Sequence, residues 1–322
     1  MFAILITNIW LKGFGGSESY VRELALELKR RGHDPMVYSP EIDRRTPALF
    51  PGIPVVSRLR DLPRKPDIIH GHHRKPVTDA AAFFPDVPVV YICHSAAEFL
   101  AAHEMPEVSP RISRYIAVDY LVKDALLTRA KTPPDKTQVI HNFVDTRRFL
   151  PRDLLPEKPV KALVFSNYTY QDAEKIRRTH VIQKACARAG LTLDFMGRGT
   201  TRYTAAPESL LRNYDIVFAK GKSAIEALTV GNAVILCDCL FGVGEMITTE
   251  NFDASRKYNF GKHLLSRPFE IDILLCEIGR FDPAEAHRTM ELARSKCDIA
   301  FAVDELLAVY TSVIEESYPD SP

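Results

Sequence analysis

The sequence predicts an α/β protein built from two doubly wound sheets, each mostly parallel with helices on both faces. Three observations carry this expectation. Short apolar runs of strand length alternate with amphipathic helical stretches along most of the chain. At 322 residues the chain exceeds the size at which one core keeps growing, so two domains of roughly 150 residues are expected. The alternation starts afresh after a charged, proline-bearing stretch at 142–159, NFVDTRRFLPRDLLPEKP, which reads as the interdomain linker. The expected domains are 1–150, 151–297 and a C-terminal helix over 298–322.

In the first half, FAILITNI (2–9) is a buried-strand run followed by the glycine-rich LKGFGGSES. A helix continues with Val21, Leu24, Ala25 and Leu28 on one face and stops at Gly32. Gly13, Gly15 and Gly16 do not match GxGxxG and no acidic strand end follows, which disfavours a nicotinamide cofactor. Strands are expected at 35–39, 67–73, 87–95, 114–119 and 138–142, with helices in VTDAAAFF and YLVKDALLTRA. His94 ends an apolar run at the carboxyl side of its strand, where doubly wound sheets bind ligands. His70, His72 and His73 cluster at another strand end without a carboxylate or cysteine to complete a metal set, so a solvated or substrate-facing rim is expected.

The second half repeats the pattern with KALVFS (161–166), a helix over 172–190 and LTLDFMG (191–197). YDIVFAKGKSAIEALTVGNAVILCD (214–238) then reads as strand, turn, helix and strand. Ser223 is placed to cap that helix, whose start would present amides and a positive dipole end. With Gly221 admitting close approach and Lys220 and Lys222 beside it, the turn suits a diphosphate. Glu226, three residues after Ser223, reads equally as a capping-box glutamate or as a ligand residue. CLFGVGEMITTENF (239–252) reads as a ligand-side loop. Pro283 opens a helix, and Ile299, Val303, Leu306, Leu307, Tyr310 and Ile314 recur at helical spacing in the tail.

Composition narrows the function. A hydrophobic share of 46% and a charged share of 26% fit an ordinary globular protein, and a net charge of +1 without a basic stripe argues against nucleic acid. The six cysteines are scattered, with Cys237 and Cys239 a lone CxC, so reduced and mostly buried thiols in the cytosol are expected. No apolar run reaches the roughly 20 residues of a membrane span, and the N-terminus passes directly into a strand pattern rather than a signal peptide.

In this order, GGSESYVRELALELKRRGHDPMVYSP, PDIIHGHH, VVYICHS, YIAVDYLVKDAL, VIHNFVDTRRF and AKGKSAIEALTVGNAVILCD resemble the successive landmarks of family 4 glycosyltransferases of the GT-B fold. The resemblance covers most of residues 1–240. It implies two Rossmann-like domains facing across a cleft, with the second holding a nucleotide sugar and the first an acceptor. It also implies retention at the anomeric carbon, no metal, and no cofactor beyond a UDP- or GDP-linked donor. Gly15 and Gly16 match the family's N-terminal glycine loop, whose amides approach the donor diphosphate, and Ser17 joins them as a binding candidate. His94 matches the histidine facing the donor sugar, and His94 and Gly16 are the catalytic candidates. Gly221, Lys222, Ser223 and Ala224, with Lys220 beside them, match the start of the helix beneath the phosphates. Glu226 matches the second glutamate of a paired motif that bonds ribose, which favours its ligand role.

Two departures accompany the resemblance. The first motif glutamate falls on Phe218, and the usual Arg and Lys clamp after the first strand of the second domain is absent. Lys175, Arg177, Arg178 and Arg198 are the candidate replacements. Nucleotide-sugar epimerases and a non-catalytic sugar-nucleotide-binding protein are the alternatives, separated by incubation with labelled donor with and without acceptor. The acceptor is expected to be a carbohydrate or lipid-linked. A basic helix face at Arg22, Lys29, Arg30 and Arg31 offers peripheral contact with the inner face of a membrane, although solvated charge is the commoner explanation. The base, sugar, acceptor and oligomeric state stay open.

Overall fold

The computed structural model describes residues 1–97, 101–169 and 172–318. The chain forms two compact units, one of Met1–Asn142 with the chain from Ile299 onward, the other of Phe143–Asp298. In chain order the first unit contains β1 (Ala3–Thr7), α1 (Gly16–Arg30), β2 (Asp34–Tyr38), β3 (Val55–Val56), β4 (Ile68–His72), α2 (Arg74–Phe83), β5 (Val89–Cys93), α3 (Ala101–Glu104), β6 (Ile112–Ala117), α4 (Tyr120–Thr128) and β7 (Thr137–Val139). Its seven strands lie in the order β3-β2-β1-β4-β5-β6-β7, all parallel. Every residue of β1, β4 and β5 is buried, as central strands covered on both faces require. The strand order reverses between β1 and β4, so the binding crevice of such a sheet opens at their carboxyl ends.

The second unit contains β8 (Lys161–Phe165), α5 (Ala173–Arg188), β9 (Thr192–Met196), α6 (Pro207–Leu211), β10 (Ile216–Ala219), α7 (Gly221–Val230), β11 (Ala233–Asp238), β12 (Gly242–Met246), α8 (Phe252–Lys257), α9 (Ile271–Ile278) and α10 (Pro283–Cys297). The sheet order is β12-β11-β10-β8-β9, with only β12 antiparallel. Its reversal falls between β8 and β10, which puts the crevice beside Ser166 and Lys220. α10 opens on Asp282, whose Oδ1 accepts from the amides of Ala284 and Glu285 at 2.8 and 3.2 Å. The last helix, α11 (Ile299–Ser317), belongs to the first unit and buries Ile299, Ala302, Val303, Leu306, Tyr310 and Val313.

Two expectations from the sequence require correction here. The stretch 142–159 is not a linker: Val144 and Phe149 are core residues of the second unit, and Phe143 and Leu155 are buried too. Arg294 of α10 holds this stretch by donating to the carbonyls of Phe149 at 2.7 Å and Thr146 at 3.0 Å. Residues 239–252 are not a ligand loop either, because β12 runs through them. The glycine pattern misleads there: a Cβ on Gly242 would lie 2.5 Å from the carbonyl oxygen of Leu265, so the strand needs glycine to let a neighbouring segment approach. The basic face of α1 is engaged within its own unit. Arg30 and Arg31 both pair with Glu27 at 2.7 Å, Arg31 also donates to the Ala300 carbonyl of α11, and Lys29 donates to the carbonyls of Pro51 and Gly52.

Candidate functional site

The carboxyl ends of β1, β4 and β5 gather four histidines. On a strand, residues two apart share a face, so His70 and His72 both point from β4 towards Tyr20 of α1, whose ring lies 6.1 and 5.1 Å from theirs. Both are fully buried, and His73 nearly so, which corrects the expectation of a solvated rim. Tyr310 of α11 pairs with His70 Nδ1 at 2.5 Å, and His72 Nδ1 meets His94 Nε2 at 2.6 Å. Burial, with His94 nearby, pushes His70 down to about 3, and burial among the other histidines holds His72 well below the usual histidine range. Both imidazoles are therefore neutral at pH 7.

His73 adopts φ 64°, an uncommon conformation for a residue with a side chain. Its Nδ1 accepts from the Ile9 amide at 3.4 Å, while its Nε2 lies 3.4 Å from Glu104 Oε1. The opposite oxygen of Glu104 accepts from the His94 amide at 3.1 Å. Although burial opposes ionisation, the His73 hydrogen bond and the nearby histidines hold the Glu104 carboxyl below its ordinary range. His94 thus has its backbone fixed by a buried carboxylate and its ring fixed by a buried neutral imidazole.

The glycine loop behaves differently from the expectation that its amides meet a diphosphate. The carboxylate of Glu18 already fills it. Glu18 Oε1 accepts from the amides of Lys12 and Gly13, both at 2.7 Å, and Oε2 accepts from Gly15 at 2.8 Å. Gly15 is the N-cap of α1, so the loop is held by an internal anion at the helix start. A second anion on the same three amides would meet that charge at short range. Gly16, the first residue of α1, is exposed and stands clear of the protein, since a Cβ there meets no atom within 4 Å. Ser17 is half-buried beside it. We expect Gly16→Ala to leave the free energy of unfolding unchanged or raise it by up to about 1 kcal/mol. A lowered melting temperature in that variant would show that the protein, not a ligand, requires glycine.

In the second unit α7 begins at Gly221, three residues earlier than a Ser223 cap requires. Lys220 is the N-cap, and Ser223 Oγ donates back to the Lys220 carbonyl at 2.9 Å. Gly221 carries φ 57°, open to glycine at no steric cost, and its amide donates to the Phe260 carbonyl at 2.7 Å. The capping-box reading of Glu226 fails because that residue lies a turn further along. Its ligand reading also meets an obstacle. Glu226 is buried with Oε1 3.7 Å from Lys222 Nζ, and Lys222 itself is buried and donates to the Phe143 carbonyl at 2.8 Å. Lys222 is thereby turned away from the phosphate role expected of it, and Ala224 lies in the core.

The remaining cations separate by their partners. Lys175 pairs with Asp172 at 2.8 Å, and Arg177 and Arg178 share Glu174 at 2.8 and 2.7 Å. Arg178 also borders a cavity of about 370 Å³ with Arg177, Arg267, Phe241 and Phe269. Lys220 lies over the rings of Tyr168 and Phe241, 5.3 Å from each centroid, and 3.9 Å from Asp238, which accepts from Ser166 Oγ at 3.1 Å. Arg198 is exposed, and its guanidinium makes no hydrogen bond or ion pair with a described residue. Its amide donates to Asn167 Oδ1 at 2.7 Å, which fixes the backbone of the loop after β9 at the strand reversal. Arg198 is the candidate whose charge no carboxylate has taken.

Comparison with known proteins accords with this geometry. The sequence model of Glycosyltransferase Family 4 matches residues 14–148. Over these residues, under half of its length, the chain is similar to Glycosyltransferase Family 4. Its fold is that of GT-B glycosyltransferases. The chain is similar to a glycosyltransferase from Rickettsia africae ESF-5 with 16% identity, 99% of each chain covered and a TM-score of 0.60. It is similar to the catalytic domain of starch synthase IV from Arabidopsis thaliana, solved with ADP and acarbose, at 12% identity, 98% and 99% coverage and a TM-score of 0.58. A UDP-N-acetylglucosamine 2-epimerase matches at 15% identity, 96% and 97% coverage and a TM-score of 0.53. No curated protein matches by sequence search.

The chain differs from the family landmarks it resembles at the position of the first motif glutamate. Phe218 is fully buried inside β10 and packs in the core, so that position points into the sheet. Sequence reasoning missed Glu18, Glu104 and Asp238 because a lone acid in a helix or at a strand end resembles any solvated charge. Glu18 carried a usable signal, an acid at the third helical position after a glycine loop. Glu104 carried none, since it reaches His73 and His94 only through tertiary packing. Among the described residues no helix is long and apolar enough to cross a membrane.

Proposed function

We propose that this protein transfers a glycosyl residue from a UDP- or GDP-linked donor to an acceptor hydroxyl, with retention and without a metal, on the cytoplasmic side of the cell. The observation that carries this reading is the cationic crevice at the β8 and β10 strand ends. There the start of α7, Lys220 and the unpaired Arg198 converge on the edge where a doubly wound sheet binds nucleotides. The leaving group of the reaction is a nucleoside diphosphate. Its departure concentrates negative charge, and preorganised donors aimed at that charge are among the largest catalytic terms.

The bond from the anomeric carbon to the diphosphate oxygen breaks while the acceptor oxygen bonds to the same face. The departing phosphate oxygen takes the acceptor proton. No separate base is then required. His94, whose ring is paired with the neutral His72, orients the donor sugar rather than attacking it. A second reading, epimerisation of a nucleotide sugar, gains support from the ionised Glu104 beside His73 and His94, since epimerases need acid and base groups. Labelled donor incubated without acceptor separates the two, because only an epimerase returns an altered donor.

Arg198→Ala tests the carrying observation. The expected result is roughly a hundredfold lower kcat in transfer and weaker calorimetric binding of UDP or GDP, with an unchanged unfolding midpoint because the side chain supports no described contact. Unaltered nucleotide affinity in that variant would remove the crevice from the donor site.

A further inference from the structure

The loop after β1 holds one large aromatic ring out of the fold at the strand ends. Trp10 is the only tryptophan of the chain and is 37% exposed, whereas its neighbours Ile9 and Leu11 are buried. The backbone on both sides is pinned. Ile9 donates to His73 Nδ1 at 3.4 Å, Asn8 Nδ2 donates to the Trp10 carbonyl at 2.9 Å, and Leu11 donates to the Glu41 carbonyl at 2.7 Å. Leu11 in turn accepts at its carbonyl from the Asp43 amide at 2.8 Å and from Thr46 Oγ1 at 2.6 Å. A ring that rigid backbone presents to solvent is a preorganised contact, since little order is lost when a ligand covers it.

The surroundings of the ring are polar. His73 lies 6.2 Å away and tilted, and His103 lies 6.4 Å away and edge-on. The sugar pyranose is complementary to such a setting, with one face of C–H groups and a rim of hydroxyls. The indole covers the apolar face while the exposed His103 imidazole reaches the hydroxyls. A second exposed aromatic stands on the same edge. Tyr120 opens α4 directly after β6, with His141 6.0 Å from it. β1 and β6 are three strand spacings apart in this sheet, so the two aromatics are separated by about 14 Å along the edge, the length of a short run of sugar rings. Phe83, also exposed, ends α2 and faces the opposite edge, so it serves as a control.

We propose that Trp10 is the platform on which a sugar ring of the acceptor stacks, which makes the acceptor a saccharide of at least one pyranose rather than a ring-free hydroxyl compound. This rests on the glycosyltransferase reading and specifies its acceptor. Because Trp10 is the sole tryptophan, its emission reports the contact directly. Lactose and N,N′-diacetylchitobiose are the ring-bearing probes, with glycerol as the ring-free one. The emission is expected to change with a saccharide and not with glycerol. In transfer assays Trp10→Ala should raise the acceptor KM about tenfold while kcat changes far less, and Phe83→Ala should leave KM alone. An emission unmoved by both saccharides up to about 50 mM would overturn the proposal. So would a wild-type KM in Trp10→Ala. Calorimetry with UDP and GDP is run on the same wild-type protein. Absence of nucleotide binding would overturn the glycosyltransferase reading, whereas nucleotide binding without any saccharide response would overturn only the role of Trp10.

Discussion

Replacing Lys222 with methionine is expected to cost about 3 kcal/mol of stability and to leave nucleotide affinity within a few fold of wild type. The reason is where the ammonium lies. Lys222 Nζ donates to the Phe143 carbonyl at 2.8 Å and stands 3.7 Å from Glu226, with both side chains enclosed. Methionine keeps most of the volume but removes the charge from beside a buried carboxylate and the donor from a buried carbonyl. Removal of one member of such a pair typically costs several kcal/mol, because the other charge stays behind in a poor solvent for ions. Denaturant melts measure the stability and calorimetry with UDP or GDP measures the affinity. A variant of full stability that no longer binds nucleotide would return Lys222 to the phosphate role that its place beside Gly221 suggested.

That case also shows how the sequence succeeded and where it stopped. The strand, turn, helix and strand at 214–238 were legible because an apolar run, a glycine turn and a second apolar run are local signals, and β10, α7 and β11 follow them closely. The cap of α7 was placed three residues late because serine is the usual cap, and nothing local announces that the Phe260 carbonyl accepts from the Gly221 amide. Side-chain direction was invisible for the same reason. Lys222 turns inward because Phe143, far away in the sequence, places a carbonyl there. Phe143 in turn lies in a stretch whose prolines and charges resemble a linker, although Arg294 holds the carbonyls of Thr146 and Phe149, and Val144 and Phe149 are buried. Element type is a local property; partnership is not.

The histidines of β4 make a second large effect, on acid stability. His70 and His72 are fully enclosed, and burial depresses both, His70 to about 3 and His72 well below the ordinary value of 6.5. The groups facing them are Tyr20 from α1, Tyr310 from α11 and His94 from β5, with His73 following on their own strand. None of these is a carboxylate able to welcome a proton; Glu104 faces His73 and the amide of His94 instead. In the unfolded chain the same two imidazoles protonate near 6.5. Above that pH neither state takes the proton and the histidines leave stability unaffected. As pH falls below it, the unfolded state gains protons that the folded state refuses, so stability declines until pH approaches the folded value. Between pH 7 and pH 5 His70 should remove about 2 kcal/mol, and His72 acts in the same direction. Glu104 adds to this only at lower pH, since a carboxyl with a depressed folded value loses its contribution as pH falls from about its unfolded 4.5. Urea melts followed by the emission of Trp10, which lies in the same unit, read the effect directly. His70→Asn should lessen the slope of stability against pH, whatever it does to the absolute value. A first unit as stable at pH 5 as at pH 7 would mean that the folded protein accepts the protons, and the enclosed, neutral pair beneath His94 would have to be abandoned.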